Sequence, residues 1–303
     1  MTNKTTAEYL SQLEAELAAL SPVAVAVSGG IDSMTLAVIA HQVDSRSLMY
    51  HAVSAAVPQS ATDRVKHYAQ QRQWNLQIID AGEMADPNYR ANPVNRCYYC
   101  KTNLYHSLQS AARVVASNVT IVSGTNSDDL SDYRPGLQAA HDFQVVHPYV
   151  RVGIDKAQVR AIARHLKLLD LQDLPAAPCL SSRVTTGIAI DEKLLPLIDA
   201  VESQIWRQFG TALGLKTVRC RILPQRIAIQ LQGAIDFSAD DPNLQSIQAL
   251  ARGVFQSNGY DSYHNVAIEP YRKGSAFLID TQQTVGEFVP QQGNLIKSIN
   301  VEH

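Results

Sequence analysis

One stretch constrains the fold more than any other. Val23-Ala24-Val25-Ala26-Val27 is a short apolar run with β-branched residues, the pattern of a buried strand, and it stops at Ser28-Gly29-Gly30. Directly behind it, Ile31-Asp32-Ser33 opens a segment of helical composition. Strand, glycine turn and helix N-terminus bring several backbone N–H groups, the hydroxyls of Ser28 and Ser33 and the positive end of a helix dipole to one spot. That is a cradle for an anion, a phosphate above all. The glycines matter because a Cβ would obstruct both the turn and the close approach of phosphate oxygens. No Gly-Lys-Ser/Thr follows, so this is not the Walker arrangement with its phosphate-seeking lysine. The plain alternative is a strand–turn–helix corner without a ligand.

The order of elements extends the same theme. Strands are expected at 23–28, 49–53, 76–79 and 119–123, with a short last one at 145–146. Helices are expected over 32–43, 62–74, 99–115 and 156–166, the last capped by Asp155. Strands alternating with helices at this spacing predict an α/β fold, a parallel sheet covered by helices on both faces. Ligands in such sheets sit beyond the carboxyl ends of the strands, where Ser28, Ser54 and Gly124 fall. The pattern breaks at Leu174-Pro175-Ala176-Ala177-Pro178, which sets an expected boundary between a domain over 1–174 and a second over 175–285. The second should be a smaller α/β unit with a helix over 192–209, a hairpin of 218–222 and 226–231, a helix over 244–255 and a strand over 263–268. Residues 286–303 form a polar tail.

Composition narrows the class. With 303 residues and 46% hydrophobic side chains, the chain can build two cored domains. A net charge of −2 provides no global basic field for gathering nucleic acid. No apolar run approaches a bilayer span, and residues 1–20 alternate at helical spacing without a signal-peptide core. A soluble, cytoplasmic protein with no membrane partner is expected.

Four cysteines in a chain of this size do not make a disulfide scaffold. Cys97-Tyr98-Tyr99-Cys100 sets two thiols one helical turn apart, the spacing of a redox pair, half a zinc site or part of an iron–sulfur site. No second Cys-x-x-Cys or histidine pair follows at zinc-finger spacing, so Cys179, in Pro178-Cys179-Leu180-Ser181-Ser182-Arg183, is the natural third ligand. Ordinary helix cysteines are the alternative for the pair. Cys220, out of phase with Arg219 and Arg221, reads as a packed core thiol.

These segments carry a family resemblance. Ser28-Gly29-Gly30-Ile31-Asp32-Ser33 resembles the PP-loop of the N-type ATP pyrophosphatases, which cleave ATP between the α- and β-phosphates. The wider ordered set resembles the LarE family of ATP-dependent sulfurtransferases, over about residues 20–280. It comprises Asn95-Arg96-Cys97-Tyr98-Tyr99-Cys100-Lys101, Gly124-Thr125-Asn126-Ser127-Asp128-Asp129, Asp132-Tyr133-Arg134-Pro135-Gly136, the Pro178-to-Arg183 segment, Arg219 with Arg221, and Tyr271-Arg272-Lys273-Gly274-Ser275. Members sulfurate pyridinium-3,5-biscarboxylic acid mononucleotide on the way to the nickel-pincer nucleotide.

The resemblance implies an adenine nucleotide alpha hydrolase-like fold, ATP with Mg²⁺, and a homo-oligomer. Ser28, Gly29, Gly30, Asp32, Ser33, Ser54 and Gly124 would bind ATP. Asn126, Asp128, Arg183, Arg219 and Arg221 would bind the substrate nucleotide. Arginines suit its phosphate and carboxylates, although structural ion pairs are the alternative for them and loop capping for Asn126 and Asp128. Family members with a lone cysteine at the position of Cys179 give up its sulfur. Those with the added Cys-x-x-Cys are similar to enzymes whose three cysteines hold a [4Fe–4S] cluster carrying a transferable sulfide. With Cys97, Cys100 and Cys179 all present, the cluster route is the expectation, and the resemblance leaves the sulfide donor open. One departure stands out: Ile222-Leu223-Pro224-Gln225 lacks the His-Gly expected after Arg221. The rival readings are a tRNA thiolation enzyme, an amide-forming ligase and a non-enzymatic nucleotide-binding module.

Overall fold

The computed structural model describes residues 4–115, 118–130, 135–176, 178–238 and 240–272. The chain opens with α1 (Thr6–Leu20), started by a capping box in which Thr5 and Glu8 satisfy each other's backbone N–H groups. Next come β1 (Val23–Ala26), α2 (Ile31–Val43), β2 (Leu48–Ala52), α3 (Gln59–Arg72), β3 (Asn75–Ile79), α4 (Pro87–Arg90) and α5 (Arg96–Val115). β4 (Thr120–Ser123), α6 (Pro135–Asp142), α7 (Pro148–Val152), α8 (Lys156–His165) and α9 (Leu169–Gln172) follow. The last group is α10 (Leu194–Phe209), β5 (Thr217–Leu223), β6 (Arg226–Gln232), α11 (Pro242–Gln256) and β7 (Val266–Pro270).

The first four strands form a parallel sheet in the order β3-β2-β1-β4. β1 is central, which is why its residues read as a continuous apolar run rather than an alternation. Val23 and Val25 face a core shared with α1, α2 and α8, while Ala24 faces the opposite core with Tyr105 and Leu108 of α5 and Ala139 and Ala140 of α6. The expected α/β architecture is therefore present, with helices on both faces of a parallel sheet. The expected strand at 145–146 is not a strand. Val146 makes a single bridge to Val122, because Gln144 takes a left-handed turn just before it and Pro148 opens α7 just after. The last expected strand starts three residues late, since Asp261–Tyr263 coil into a 3₁₀ turn.

The second sheet, β5-β6-β7, has an antiparallel hairpin and a parallel third strand. It packs against α10 and α11 around Ile198, Val201, Ile205, Ile247, Phe255 and Cys220, all fully buried. Cys220 is thus the core thiol that its phase predicted. Among the described residues no helix is long and apolar enough to cross a membrane. Asp132, Tyr133, Arg134 and the Lys273-Gly274-Ser275 motif lie outside the described residues, as does the tail from 286.

Candidate active site

In a sheet ordered 3-2-1-4, the connections leave β1 to one side and return to β4 on the other, so the crevice opens between β1 and β4. The cradle predicted from sequence lies there. Gly29 has φ +80°, and a Cβ on it would sit 2.8 Å from Ala61 C=O on α3. Gly124, at the end of β4, comes so close to the start of α2 that its Cβ would meet Ser33 N at 2.7 Å. Both positions need glycine, one for conformation and space, the other for space alone.

Around the turn, Ser33 Oγ accepts Ser28 N–H at 3.0 Å, lies 3.0 Å from Ser28 Oγ and donates to Gly30 C=O. The first helical bond runs from Met34 N–H to Gly30 C=O, so the amides of Ile31, Asp32 and Ser33 point out of the N-terminus as donors. Asp32 is tied on both oxygens, by Lys156 Nζ at 2.5 Å and by Asn126 Nδ2 at 3.2 Å, and Tyr149 OH donates to its carbonyl. Lys156 is the first residue of α8, set by the Asp155–Gln158 capping box. Asn126 is 2% exposed, and its Oδ1 accepts Asp128 N–H while Asp128 Oδ2 accepts Lys156 N–H. Asn126 and Asp128 therefore join the β4 end to α8 and to Asp32. Under the turn, the buried His51 contacts Val27 C=O and Thr62 Oγ1, and burial lowers its pKa, which keeps it neutral.

Three thiols act on one another near the segment that follows β2. Cys97 and Cys100 occupy the first turns of α5, with Cys97 the most open, and Cys179 precedes a 3₁₀ turn over Leu180–Arg183. Burial pushes the Cys97 and Cys100 thiols up, the latter to about 12, and Cys179 facing them pushes in the same direction. Lys101 is raised by Tyr105 and then by all three thiols, so it belongs to the same group. Two segments far apart in sequence are clasped to make this arrangement. Asn92 sits in a left-handed conformation and donates to the carbonyls of Thr185 and Ile188, while Arg96 reaches both Asn92 and Ser181 C=O. Tyr89 OH pairs with Ser181 Oγ at 2.6 Å, and Leu180 N–H donates to Ala56 C=O at 2.8 Å. Ala56 lies two residues past Ser54, whose hydroxyl bonds the buried Glu83. Among the described residues, no group of three or more His, Cys, Asp or Glu is arranged to hold a single metal ion.

The arginines divide. Arg183, 2% exposed, forms a two-pronged ion pair with Glu202 at 2.8 and 3.0 Å, and its Nη1 serves the carbonyls of Pro178 and Cys179. Its side chain holds the Cys179 loop. Arg219 donates to Val218 C=O and Ala176 C=O. Arg221 donates to Ser182 C=O at 2.7 Å and Gln230 Oε1 at 3.2 Å and makes no ion pair among the described residues. It lines a cavity of about 290 Å³ with Thr185, Arg226, Gln230, Glu269 and Arg272. Burial and then the neighbouring Arg183 lower the pKa of both Arg219 and Arg221, so positive charge is crowded here. Sequence reasoning missed Lys156, Glu202 and Asn92, and took Arg96 only as part of the motif around Cys97 and Cys100. Lys156 could have been suspected as the cation directly behind a capping aspartate, whereas Glu202 carries no local signal.

No protein-family model matches the chain. Over 257 residues, covering 82% of this chain and 90% of the relative, it is 34% identical to the uncharacterized protein slr1717 of Synechocystis. The chain belongs to the slr1717 family. Beyond that family, it is 28% identical, over 76% of its length and 82% of the relative's, to the pyridinium-3,5-bisthiocarboxylic acid mononucleotide synthase of Lactiplantibacillus plantarum. It is also 25% identical, over 76% of its length and 84% of the relative's, to a subunit of the glutamine-hydrolyzing GMP synthase of Thermoplasma acidophilum. The slr1717-family chain thus has the parallel four-stranded sheet flanked by helices of a PP-loop, adenine nucleotide alpha hydrolase-like protein.

Proposed function

We propose that this chain is an ATP-dependent sulfurtransferase acting on pyridinium-3,5-biscarboxylic acid mononucleotide, in the synthesis of the nickel-pincer nucleotide. The observation that carries this reading is the clasp that brings the Cys179 segment against α4, the start of α5 and Ala56, just past the end of β2. The similarity to the Lactiplantibacillus synthase supports it. Ser28, Gly29, Gly30, Asp32, Ser33, Ser54 and Gly124 would bind ATP and its Mg²⁺. A substrate carboxylate oxygen attacks the α-phosphorus, the bond to the β-phosphate breaks, and pyrophosphate leaves with the electron pair. A sulfur nucleophile then displaces AMP from the acyl carbon. Backbone amides at the α2 N-terminus offset the charge that develops on the phosphates. Arg219 and Arg221, in a crowded cationic patch where Arg221 lines a cavity, would take the phosphate and carboxylates of the nucleotide, together with Asn126 and Asp128. Arg183 contributes by holding Cys179.

Cys97, Cys100 and Cys179 would hold the [4Fe–4S] cluster, which when bound supplies a transferable sulfide. Their mutual influence supports a shared space. A second route for the sulfur needs no cluster: Cys179 itself would be the donor. Iron and acid-labile sulfide in protein purified without oxygen separate the two. About four irons per chain, lost on replacing any of the three cysteines with serine, supports the cluster. An iron-free protein that loses the mass of one H₂S at Cys179 after turnover supports the sacrificial route. Absence of ATP-dependent pyrophosphate release with the substrate present sinks both.

A further inference from the structure

Val27 is the residue at which the chain leaves β1 for the cradle. Its N–H still pairs with Tyr50 C=O on β2 at 2.8 Å, whereas its C=O is taken by a side chain, His51 Nδ1, at 2.8 Å. On the other side of the same peptide, Ser28 N–H donates to Ser33 Oγ at 3.0 Å. The C=O and N–H of a trans peptide point in opposite directions. The Val27–Ser28 plane is therefore held from both sides, by a histidine of β2 and by the first turn of α2. The other ring nitrogen, His51 Nε2, lies 3.0 Å from Thr62 Oγ1 on α3. Thr62 follows Ala61, whose backbone leaves no room for a Cβ on Gly29. One imidazole thus joins the start of the loop to the helix on which its glycine rests.

The two contacts also fix the form of the ring. A carbonyl only accepts, so Nδ1 carries the proton, and Nε2 accepts from the Thr62 hydroxyl. His51 is 1% exposed and Thr62 7%. Burial, with Lys66 of α3 adding to it, keeps the ring neutral.

We propose that His51 is a positioning residue for the nucleotide loop, presetting the Val27–Ser28 peptide so that the amides and hydroxyls of residues 28–33 are aimed before ATP or pyrophosphate arrives. This rests on the ATP-dependent reading of the cradle. His51 touches no phosphate itself. Without its donor, the buried Val27 carbonyl must find another, and turning the peptide to do so swings Ser28 N–H off Ser33 Oγ. A loop that has to be reordered on binding gives up affinity that a preset one keeps.

The test is titration calorimetry of the full chain with magnesium pyrophosphate and with ATP, for the wild type, His51→Leu and His51→Asn. His51→Leu should weaken both ligands by roughly 10-fold or more. His51→Asn places an amide where Nδ1 stood, keeps the bond to Val27, and should stay within about threefold of wild type. Wild-type affinity in His51→Leu, with only its urea midpoint lowered, makes the histidine a core filler and overturns the proposal. So does a His51→Asn protein as weak as His51→Leu. A nitrogen-15 spectrum of the wild type showing the proton of His51 on Nε2 overturns it as well. If His51→Leu does not fold, His51→Gln, which reaches Thr62 but not Val27, takes its place and should bind less tightly than His51→Asn. A wild-type protein that binds neither ATP nor pyrophosphate overturns the ATP reading itself, a failure distinct from the others.

Discussion

Replacing Glu202 with glutamine should damage this protein more than a one-atom change suggests. Glu202 accepts three bonds: from Arg183 Nε at 3.0 Å, from Arg183 Nη2 at 2.8 Å and from Cys220 N–H at 2.9 Å. β5 is an edge strand, so the outward N–H of Cys220 depends on this side chain. The pair is enclosed, with side chains 3% and 10% exposed for Arg183 and Glu202. Glutamine keeps one oxygen but turns an NH₂ toward a guanidinium N–H, donor against donor, and leaves Arg183 without a counter-charge. Removing one partner of a buried pair costs about 3–5 kcal/mol. At roughly 2–4 °C per kcal/mol for a chain of this class, Tm should fall by about 6–20 °C. Urea unfolding followed by circular dichroism gives the free energy, with an unchanged m-value as the control.

A partner experiment distinguishes the pair from mere packing. Arg183→Met together with Glu202→Leu removes both charges and should recover most of the loss. It should remain about 1–3 kcal/mol short of wild type, because Cys220 N–H is left without an acceptor. A loss below about 1 kcal/mol for Glu202→Gln would refute the view that this pair anchors the Cys179 loop.

Three further outcomes follow from the site. Gly124→Ala, whose Cβ would press on Ser33 N, should abolish pyrophosphate release in a coupled assay while the far-UV spectrum stays close to wild type, and an active variant would count against the close β4–α2 approach. Lys156→Met, which strips Asp32 of its cation, should raise the KM for ATP about tenfold or more, and an unchanged KM would remove Lys156 from the site. His51 is held below the ordinary histidine range by burial, and His147 by burial and then Lys101. As pH falls through about 6.5 the unfolded chain takes up these protons first, so the stability present above that pH is lost on going down toward pH 5. The urea midpoint should drop over that window with a shallower slope in His51→Asn, and identical slopes would exclude His51 as a contributor.

Much of the site was legible because its logic is local. A strand, two glycines and a helix start follow one another without a break, and the chemistry of that turn depends on backbone geometry that the residue order dictates. Asp155 as a cap and Cys220 as a core thiol were readable for the same reason, by position within a helix and by phase within a strand. The strand expected at 145–146 failed on a tertiary detail, a left-handed Gln144 and a proline that leave room for one bridge.

The charged residues were a different matter. Sequence offered Arg183, Arg219 and Arg221 as equals, and the structure separates them. Arg183 is occupied by Glu202 and the Cys179 loop, while Arg221 donates to neutral acceptors and faces a cavity. By itself the sequence determined most of the strands and long helices and the strand–glycine turn–helix corner, since hydrogen-bonding period, glycine conformation and helix polarity act within a few residues. Only the tertiary structure decided which cations are tied into ion pairs and which line a cavity, and that the Cys179 loop is clasped to Tyr89 and Arg96. The energy of a charge or a thiol depends on its burial and on partners that the fold brings from distant parts of the chain.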